Sequence, residues 1–547
     1  MAIPVIDLFA GPGGLGEGFS RSSKARFDIV VSVEKDGMAF ETLQLRAAHR
    51  ALARSDSTTA QTWQCWDRVV MDSPWNIVFD NLMMAGNVAI REACLTARAE
   101  AWNIEMGPTN RHLISAGIRS RLAPHMIDGR LPDNAVLIGG PPCQAYSVVG
   151  RARNKGKKDY KAENDHRHFL YREYLAVINE FRPAVFVMEN VKGILTSKVD
   201  GGQIFETISN DLRRPDLACD EDTSLEYVLV ALPAGADFVP PSPLPDDYIV
   251  RAELFGIPQA RHRVIICGVR KDVFDAAKGV EKLQPKESVT VREVIGTLPE
   301  LRPEVSHRGR GTNWLDALQL PLMKAAIDEL HSSMQESRRA LGRSIQLTIG
   351  RMSSRLDPGR GLDRSLMSRV PPPAYEASWY QDRPIGLLTN HESRSHMPED
   401  IARYFFVAMH GQDLNCSPRL DDFPVSLLPK HANVDPSSPH LAIFKDRFRV
   451  QTWDRHSMTV TSHIGKDGHA FIHPDPLQCR SLTVREAARL QTFPDSYVFL
   501  GNRTSQYTQV GNAVPPMLAL RIADIVAIVL DKWALSKVPP AIGAGRS

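Results

Sequence analysis

The 547-residue sequence has few cysteines, little net charge and no long uncharged apolar run. Its seven cysteines include no CxxC pair, so neither a disulfide scaffold nor a structural zinc site is favoured, and a reducing cytoplasm is expected. The apolar run 518–530 is interrupted by Arg521 and Asp524; it is too short and too charged to span a bilayer. The N-terminus has no basic segment before its short apolar run, so we expect no signal peptide.

The formal net charge of +3 does not indicate which kind of partner the protein binds, because nucleic acids are bound by local basic surfaces and do not require a high total positive charge. What the sequence does contain is a series of short runs rich in Val, Ile and Phe, separated by helical stretches. Continuous apolar runs indicate strands buried on both faces, and therefore a mostly parallel sheet covered by helices. Strands are predicted at 3–9, 27–34, 135–138, 184–188, 227–231 and 263–269, and helices at 165–181, 483–492 and 515–535.

The length predicts two or three domains. Residues 1–274 carry the α/β pattern, with an Ala- and Arg-rich helical insertion at about 50–130. From about residue 272, Pro-, Arg- and Ser-rich segments interrupt the pattern, so we assign 275–450 to a smaller, irregular domain. Residues 451–547 return to the first domain. His391 and His396 lie in the irregular part without any further metal-ligand pattern, and we interpret them as structural.

A glycine-rich turn, DLFAGPGG (7–14), follows the first predicted strand and opens a helix. Gly11, Gly13 and Gly14 allow the backbone to approach a ligand at the carboxyl edge of the sheet, where open α/β sheets bind cofactors. Glu34 ends the second strand, where a carboxylate can bind ribose hydroxyls. A nicotinamide or flavin site would fit this turn equally well.

Three further motifs carry reactive groups. GGPPCQAYS (139–147) follows a strand, and its prolines can hold the Cys143 thiol, a nucleophile when ionised, out of the core. MENV places Glu189 at a strand end, and QARHR places Arg261 and Arg263 two residues apart, on one face of a strand. Taken singly, each has a simpler interpretation: a core cysteine, a helix-capping carboxylate and solvated arginines.

Together these motifs resemble DNA (cytosine-5)-methyltransferases of the bacterial type. Six blocks of that family occur in its usual order: DLFAGPGG, GGPPCQAYS, MENV, QARHR, RSLTVREAARLQTFPD and QVGNAVPP. The resemblance implies a Rossmann-like class I methyltransferase fold with a mixed, mostly parallel sheet, and a target-recognition domain at 275–450. It also implies S-adenosylmethionine as cofactor without a metal, and double-stranded DNA as partner. A cognate restriction endonuclease or other defence proteins are further partners that it suggests.

The resemblance also assigns roles to single residues. Cys143 would attack C6 of a flipped cytosine, and Glu189, Arg261 and Arg263 would complete the catalytic group. The implied cofactor contacts are Phe9, Gly11, Gly13, Gly14, Glu34, Pro141, Asn512 and Val514. The implied DNA contacts are Gln144, Ser147, Arg151 and Arg153, at the start of a basic loop spanning 151–168.

One expected residue is missing. The family carries an acidic residue about twenty positions before the cysteine, which holds the adenine of the cofactor, but 118–122 contains none, and Asp128 is out of register. Two other functions remain open. The same chemistry could act on cytosine in RNA, although a recognition region of this size favours duplex DNA. A third hypothesis is a DNA-binding regulator without catalytic activity, but such a protein would not need the Cys143 thiol.

Overall fold

The computed structural model describes residues 2–142, 170–199, 202–233, 243–306, 314–352, 371–383, 387–429, 447–466 and 468–537. Its internal contacts divide the chain into two compact units. The first comprises Met1–Gly256, Arg261–Glu287 and Ala513–Ser547, and the second comprises Ile257–Ala260 and Ser288–Asn512. The second unit thus includes 451–512, which the sequence pattern joined to the first domain. The assignment of catalysis to 1–274 and 451–547, and of target recognition to 275–450, stays a prediction.

An eight-stranded sheet forms the centre of the first unit. Its strands are β1 (Ile3–Leu8), β2 (Phe27–Glu34), β3 (Ala101–Asn103), β4 (Val136–Gly139), β5 (Val185–Val191), β6 (Tyr227–Val230), β7 (Ile249–Arg251) and β8 (His262–Arg270). The order is β3-β2-β1-β4-β5-β8-β6, with β7 also paired to β8. Strands β1 to β5 are mutually parallel, and β8 is antiparallel to its three neighbours. The predicted mixed, mostly parallel sheet is confirmed.

Helices cover this sheet. They are α1 (Gly14–Ser20), α2 (Gly37–Ala53), α3 (Ala60–Asp72), α4 (Val78–Met83), α5 (Val88–Glu100), α6 (Arg111–Leu122), α7 (Leu170–Phe181), α8 (Ile204–Arg213), α9 (Pro215–Ala218), α10 (Lys271–Ala277) and α19 (Pro516–Ser536). Short 3₁₀ helices occur at Pro108–Asn110, Ala123–His125, Lys192–Leu195, Pro245–Tyr248 and Ala252–Leu254, and Lys198–Val199 pairs with Gly202–Gln203.

The segment 50–130 is helical as predicted, but it also contains β3, an edge strand of the sheet. Buried ion pairs hold α2 against α1 and α5 within the first unit. Arg46 on α2 donates from Nε to Glu17 on α1 at 2.8 Å, and Arg50 pairs with Glu100 at the end of α5. Because buried charges are costly unless they are paired, these contacts fix the position of α2 against α1 and α5.

The second unit is more regular than its sequence indicated. Its helices are α11 (Val291–Ile295), α12 (Trp314–Leu318), α13 (Pro321–His331), α14 (Glu336–Met352), α15 (Ala377–Tyr380), α16 (Pro398–Leu414), α17 (Val484–Leu490) and α18 (Arg503–Asn512), with 3₁₀ helices at Leu420–Asp422, Val425–Leu427 and Ser462–Gly465. Gln259–Ala260 pairs in parallel with Ser457–Met458. The core surrounds α16, where Phe405 and Phe406 are fully buried, and it extends to Ile472 and Cys479.

The C-terminal helical stretch Arg503–Ser536 is long and apolar enough in composition to cross a membrane, with a mean hydropathy of 2.0 in its most apolar window. That window is 78% buried inside the protein. A core helix of a folded domain has the same properties, and a single such helix is weak evidence for a membrane span.

Candidate active site

The glycine-rich turn after β1 is held by the carboxylate of Glu34. Phe9, Gly11 and Gly13 have positive φ angles of 57°, 57° and 97°, so the chain reverses sharply between β1 and α1. The amide of Gly11 donates to Glu34 Oε2 at 2.8 Å, and the amide of Asp36 donates to Glu34 Oε1 at 2.8 Å. Burial raises the pKa of Glu34. The carboxylate therefore ties the turn to the end of the neighbouring strand.

The same turn has the features that a nucleoside cofactor requires. A Cβ built on Gly11 would meet no atom within 4 Å, so the backbone there borders open space. Each oxygen of Glu34 retains capacity for a second hydrogen bond, which a ribose hydroxyl can donate. Gly14 has a different environment, because its Cβ would lie 2.3 Å from the carbonyl oxygen of Val514. Gly14 and Val514 thus pack against each other, and their contact with a cofactor stays a prediction.

Strands β5 and β8 bring Glu189 and the two arginines together. Nε of Arg263 lies 2.9 Å from Glu189 Oε1, and both side chains are mostly buried. Arg261, immediately before β8, is only 2% exposed. Burial lowers its pKa, the charge of Arg263 lowers it further, and Glu189 opposes the shift. Two guanidinium groups therefore share the field of one carboxylate, an arrangement that can donate hydrogen bonds to an electron-rich oxygen.

The chain that enters the PPC motif passes beside Glu189 of this cluster. β4 is parallel to β5 and ends at Gly139, opposite Met188. A Cβ on Gly140 would lie 3.1 Å from Glu189 Oε2, so a larger residue would press on the carboxylate. Asn190 Nδ2 donates to the carbonyl of Pro141 at 3.2 Å. Asn190 thus ties the end of β5 to the start of the PPC motif, a contact that sequence reasoning missed although Asn190 lies within the MENV block.

A model of C-5 cytosine-specific DNA methylases matches residues 123–527, more than half of the chain. The chain belongs to this family. The activity of the class, DNA (cytosine-5-)-methyltransferase, is therefore the activity of this protein.

Relatives share most of the length of this methylase. Type II methyltransferase M.Bpa9945I of Bacillus paralicheniformis is 32% identical over 96% of this chain and 99% of its own length. Type II methyltransferase M.AgeI of Thalassovita gelatinovora is 27% identical over 72% of this chain and 83% of its own. DNA (cytosine-5-)-methyltransferase M.ApeKI of Aeropyrum pernix is 26% identical over 73% of this chain and 82% of its own.

Several residues that the methylase sequence singles out lie outside the described residues. These are Cys143, Gln144, Ser147, Arg151 and Arg153, together with the rest of the loop 151–168. Asn512 is the last residue of α18 and belongs to the second unit. The roles of all of them stay predictions. Within the part of the chain that the structure describes, no group of three or more His, Cys, Asp or Glu side chains could hold a metal ion.

The segment in which the family's acidic residue for the adenine is missing lies in a helix, and which residue holds the adenine stays open. Residues 118–122 lie within α6, with Ile118 and Leu122 in the core. The strand that follows β2 in the sheet is β3, which ends at Asn103, opposite Glu34. Asn103 Nδ2 donates to the Glu34 carbonyl at 2.9 Å, and Glu105 pairs with Lys35 at 3.0 Å. These polar groups lie at the carboxyl edge of the sheet.

Proposed function

We propose that this methylase transfers a methyl group from S-adenosylmethionine to C5 of a cytosine flipped out of duplex DNA, through a covalent bond between Cys143 and C6. The observation that carries the proposal is the cluster of Glu189, Arg261 and Arg263 beside the entry to the PPC motif. A stacked cytosine does not expose C6 to a protein nucleophile, so the base must leave the helix.

The chemistry requires activation of C5, which is a poor nucleophile. Addition of the Cys143 thiolate to C6 forms an S–C6 bond and makes C5 electron-rich, like the carbon of an enamine. S-adenosylmethionine, when bound, supplies a methyl group on a positively charged sulfur. C5 would take that methyl group while the electron pair of the broken S–CH₃ bond stays on the cofactor's sulfur, so S-adenosylhomocysteine would be the product. C5 would then lose its proton to a base, the C5–C6 double bond would re-form, and the electrons of the S–C6 bond would return to Cys143 as the thiolate leaves.

Glu189, Arg263 and Arg261 act on the ring during this sequence. Glu189 would engage N3 and the exocyclic amine, and Arg263 would donate to the base oxygen, where charge develops as the thiolate adds. Arg261 adds a second positive charge next to Arg263. Asn190 would hold the start of the cysteine loop through the Pro141 carbonyl. Glu34 and the turn at Gly11 would bind the cofactor's ribose.

The relatives named as type II methyltransferases support a role in restriction-modification or host defence. In that role the chain would act in the cytoplasm beside a cognate endonuclease. The second unit would select the target sequence. Bisulfite sequencing of DNA from cells that express the chain tests the activity and identifies the site. Converted cytosine at every position would contradict the proposal, and methylation confined to RNA would support the alternative substrate.

The covalent step has a separate test. A target duplex with 5-fluorocytosine allows thiolate addition and methyl transfer, but fluorine cannot leave as a cation, so elimination stops. A denaturation-resistant complex mapped to Cys143 is the expected result. Cys143→Ser should form no complex, because a hydroxyl is a much weaker nucleophile at neutral pH than a partly ionised thiol. An adduct on any of the other six cysteines would show that the nucleophile is assigned wrongly.

A further inference from the structure

The backbone of the first unit passes through the second unit immediately before the two arginines of the candidate site. The first unit extends to Gly256, the crossing segment Ile257–Ala260 belongs to the second unit, and Arg261 belongs to the first unit again. Arg263 follows two residues later in β8. The contacts of the crossing segment therefore fix the chain from which both arginines extend, and the proposed chemistry assigns no function to these contacts.

Gln259, in the crossing segment, is fully buried, and its side-chain amide is bonded through both its nitrogen and its oxygen. Nε2 donates to the Leu490 carbonyl at 2.9 Å and to Gln491 Oε1 at 2.6 Å. Oε1 accepts from the backbone amide of Val460 at 3.0 Å. All three partners belong to the second unit. One side chain thus ties the crossing segment to two other segments of that unit.

Gln491 extends these contacts to the end of α18. It is also fully buried, and its Nε2 donates to the Val510 carbonyl at 2.6 Å. The next residue, Gly511, packs against the chain that follows Val460, because a Cβ on Gly511 would lie 2.2 Å from the backbone nitrogen of Ser462. The contacts therefore close a ring through four segments of the second unit, and Gln259 and Gln491, the glutamine pair, connect its parts.

The backbone of the crossing segment is paired over two residues, Gln259–Ala260 with Ser457–Met458. A pairing of this length contributes few hydrogen bonds and is weak by itself. A buried amide network whose donors and acceptors are satisfied makes the segments that it connects rigid, because a partner lost in the interior is not replaced by water. The glutamine pair is thus suited to fix the direction in which the chain leaves Ala260.

We propose that Gln259 and Gln491 are positioning residues for methyl transfer, which hold the crossing segment so that Arg261 and Arg263 meet the target base in the orientation that the transition state requires. The inference rests on the proposed function of the two arginines. In this role the glutamines act through the backbone and do not touch the base. A displacement of about 1 Å at a reacting centre can cost about 100-fold in rate, so a small change in the pair should have a large effect on the chemical step.

The first test removes the donor of Gln259. Gln259→Glu places a carboxylate oxygen opposite two oxygen acceptors, and Gln259→Met removes the amide without adding charge. Both variants should bind the target duplex and S-adenosylmethionine with near wild-type affinity, whereas single-turnover methyl transfer with both ligands saturating should slow by about 10- to 100-fold. Relative to the wild type, Gln259→Glu should recover rate as the pH is lowered from about 8 to about 6, because a protonated carboxyl group donates one of the two bonds. Gln259→Met should show no such recovery.

Gln509 provides the matched control. It is 3% exposed, and its Nε2 also donates two bonds, to the Leu500 carbonyl at 2.9 Å and to Ser505 Oγ at 3.2 Å. Gln509→Glu should therefore lower the melting temperature about as much as Gln259→Glu, but its single-turnover rate should stay that of the wild type. An equal loss of rate in both variants would attribute the effect to a general loss of stability and would overturn the inference.

The second test is a double-mutant cycle on the rate of methyl transfer. If the two glutamines act as one unit, the double variant Gln259→Met, Gln491→Met should be no slower than the slower single variant. The methionine variants also answer the question if Gln259→Glu does not fold, because they bury no charge. A wild-type rate in Gln259→Met, or effects that multiply in the double variant, would overturn the inference while leaving the methylase activity intact. Failure of the wild type to methylate any duplex would reject the proposed function itself.

Discussion

At the scale of single residues, Glu34 holds the glycine-rich turn and is also the proposed ribose contact. It accepts the amides of both Gly11 and Asp36. Glu34→Ala should weaken S-adenosylmethionine binding by about 1–3 kcal/mol, because the ribose hydroxyls and the Gly11 amide lose their acceptor. Calorimetry measures this directly. Asp28→Ala, at the opposite end of β2, is the control, and equal affinity in Glu34→Ala would mean that another group holds the ribose.

The proposed role of Glu189 can also be tested by a single substitution. Glu189→Gln keeps the size of the side chain but removes the charge that Arg263 contacts at 2.9 Å. Single-turnover methyl transfer to duplex DNA should slow by roughly 100-fold or more, a typical effect of removing a group that stabilises the transition state. The exposed Glu226 offers a control in Glu226→Gln. A wild-type rate in the Glu189 variant would remove this carboxylate from the mechanism.

The sequence identified Glu189, Arg261 and Arg263 because each belongs to a motif, and Glu34 because it ends a predicted strand. The structure places Glu189, Arg261 and Arg263 in one cluster. It did not identify Asn190 or Asn103. Their contacts, with Pro141 and with the Glu34 carbonyl, depend on which strands are neighbours. Strand order is a property of the folded sheet, which the spacing of residues along the chain does not specify.

At the scale of secondary structure, the long apolar strands were predictable, and the short ones were not. Strands β3 and β7 have three residues each, too few to show a period of two. The sequence did not predict helix α14 for a different reason. In its sequence ESRRALGRSIQLTIGRM, polar residues and glycines lie among the apolar residues, and only Leu341, Gly342, Ile345 and Met352 are buried, so its buried apolar face is narrow. Composition therefore suggested an irregular domain where the structure forms helices.

The contact between β5 and β8 allows a test of packing in the sheet. Gly268 lies opposite Phe186, and a Cβ there would lie 2.1 Å from the Phe186 ring. Gly268→Ala should destabilise the protein by about 1–3 kcal/mol, because the ring would have to leave its position between Tyr174 and Tyr227. Gly37→Ala is the control, since its Cβ would meet nothing within 4 Å. Equal melting temperatures for the two variants would contradict this account.

At the scale of the whole molecule, buried histidines make stability depend on pH. Burial lowers the pKa of His391 from 6.5 to about 4 and that of His396 to about 3. Since the unfolded chain binds these protons near pH 6.5 and the folded chain does not, stability is full above pH 6.5 and falls as the pH decreases towards 4. His391 alone contributes up to about 3 kcal/mol to this loss.

Urea unfolding at pH 7.5, 6 and 5 measures the effect. His391→Gln should reduce the pH dependence, at the cost of the bonds from the His391 ring to Thr483 and the Pro299 carbonyl. His112→Gln, at an exposed position of α6, should leave the pH dependence as it is in the wild type. Constant stability between pH 7.5 and 5 would mean that the histidines have the same pKa in the folded and unfolded chains, which contradicts the lowered pKa values.

The division into two compact units also determines how target recognition can be transferred. Exchanging 275–450 with a relative of known specificity would cut the core of the second unit, because Phe405 and Phe406 of α16 share that core with Ile472 and Cys479. An exchange of 288–479 moves this core intact and stops before the RSLTVREAARL block.

We therefore expect the longer exchange to give a folded, active chimera that methylates the donor's site, and the shorter one to be less stable. Bisulfite sequencing reports the site, and thermal unfolding reports the stability. An active chimera that still methylates the original site would place sequence recognition outside 288–479.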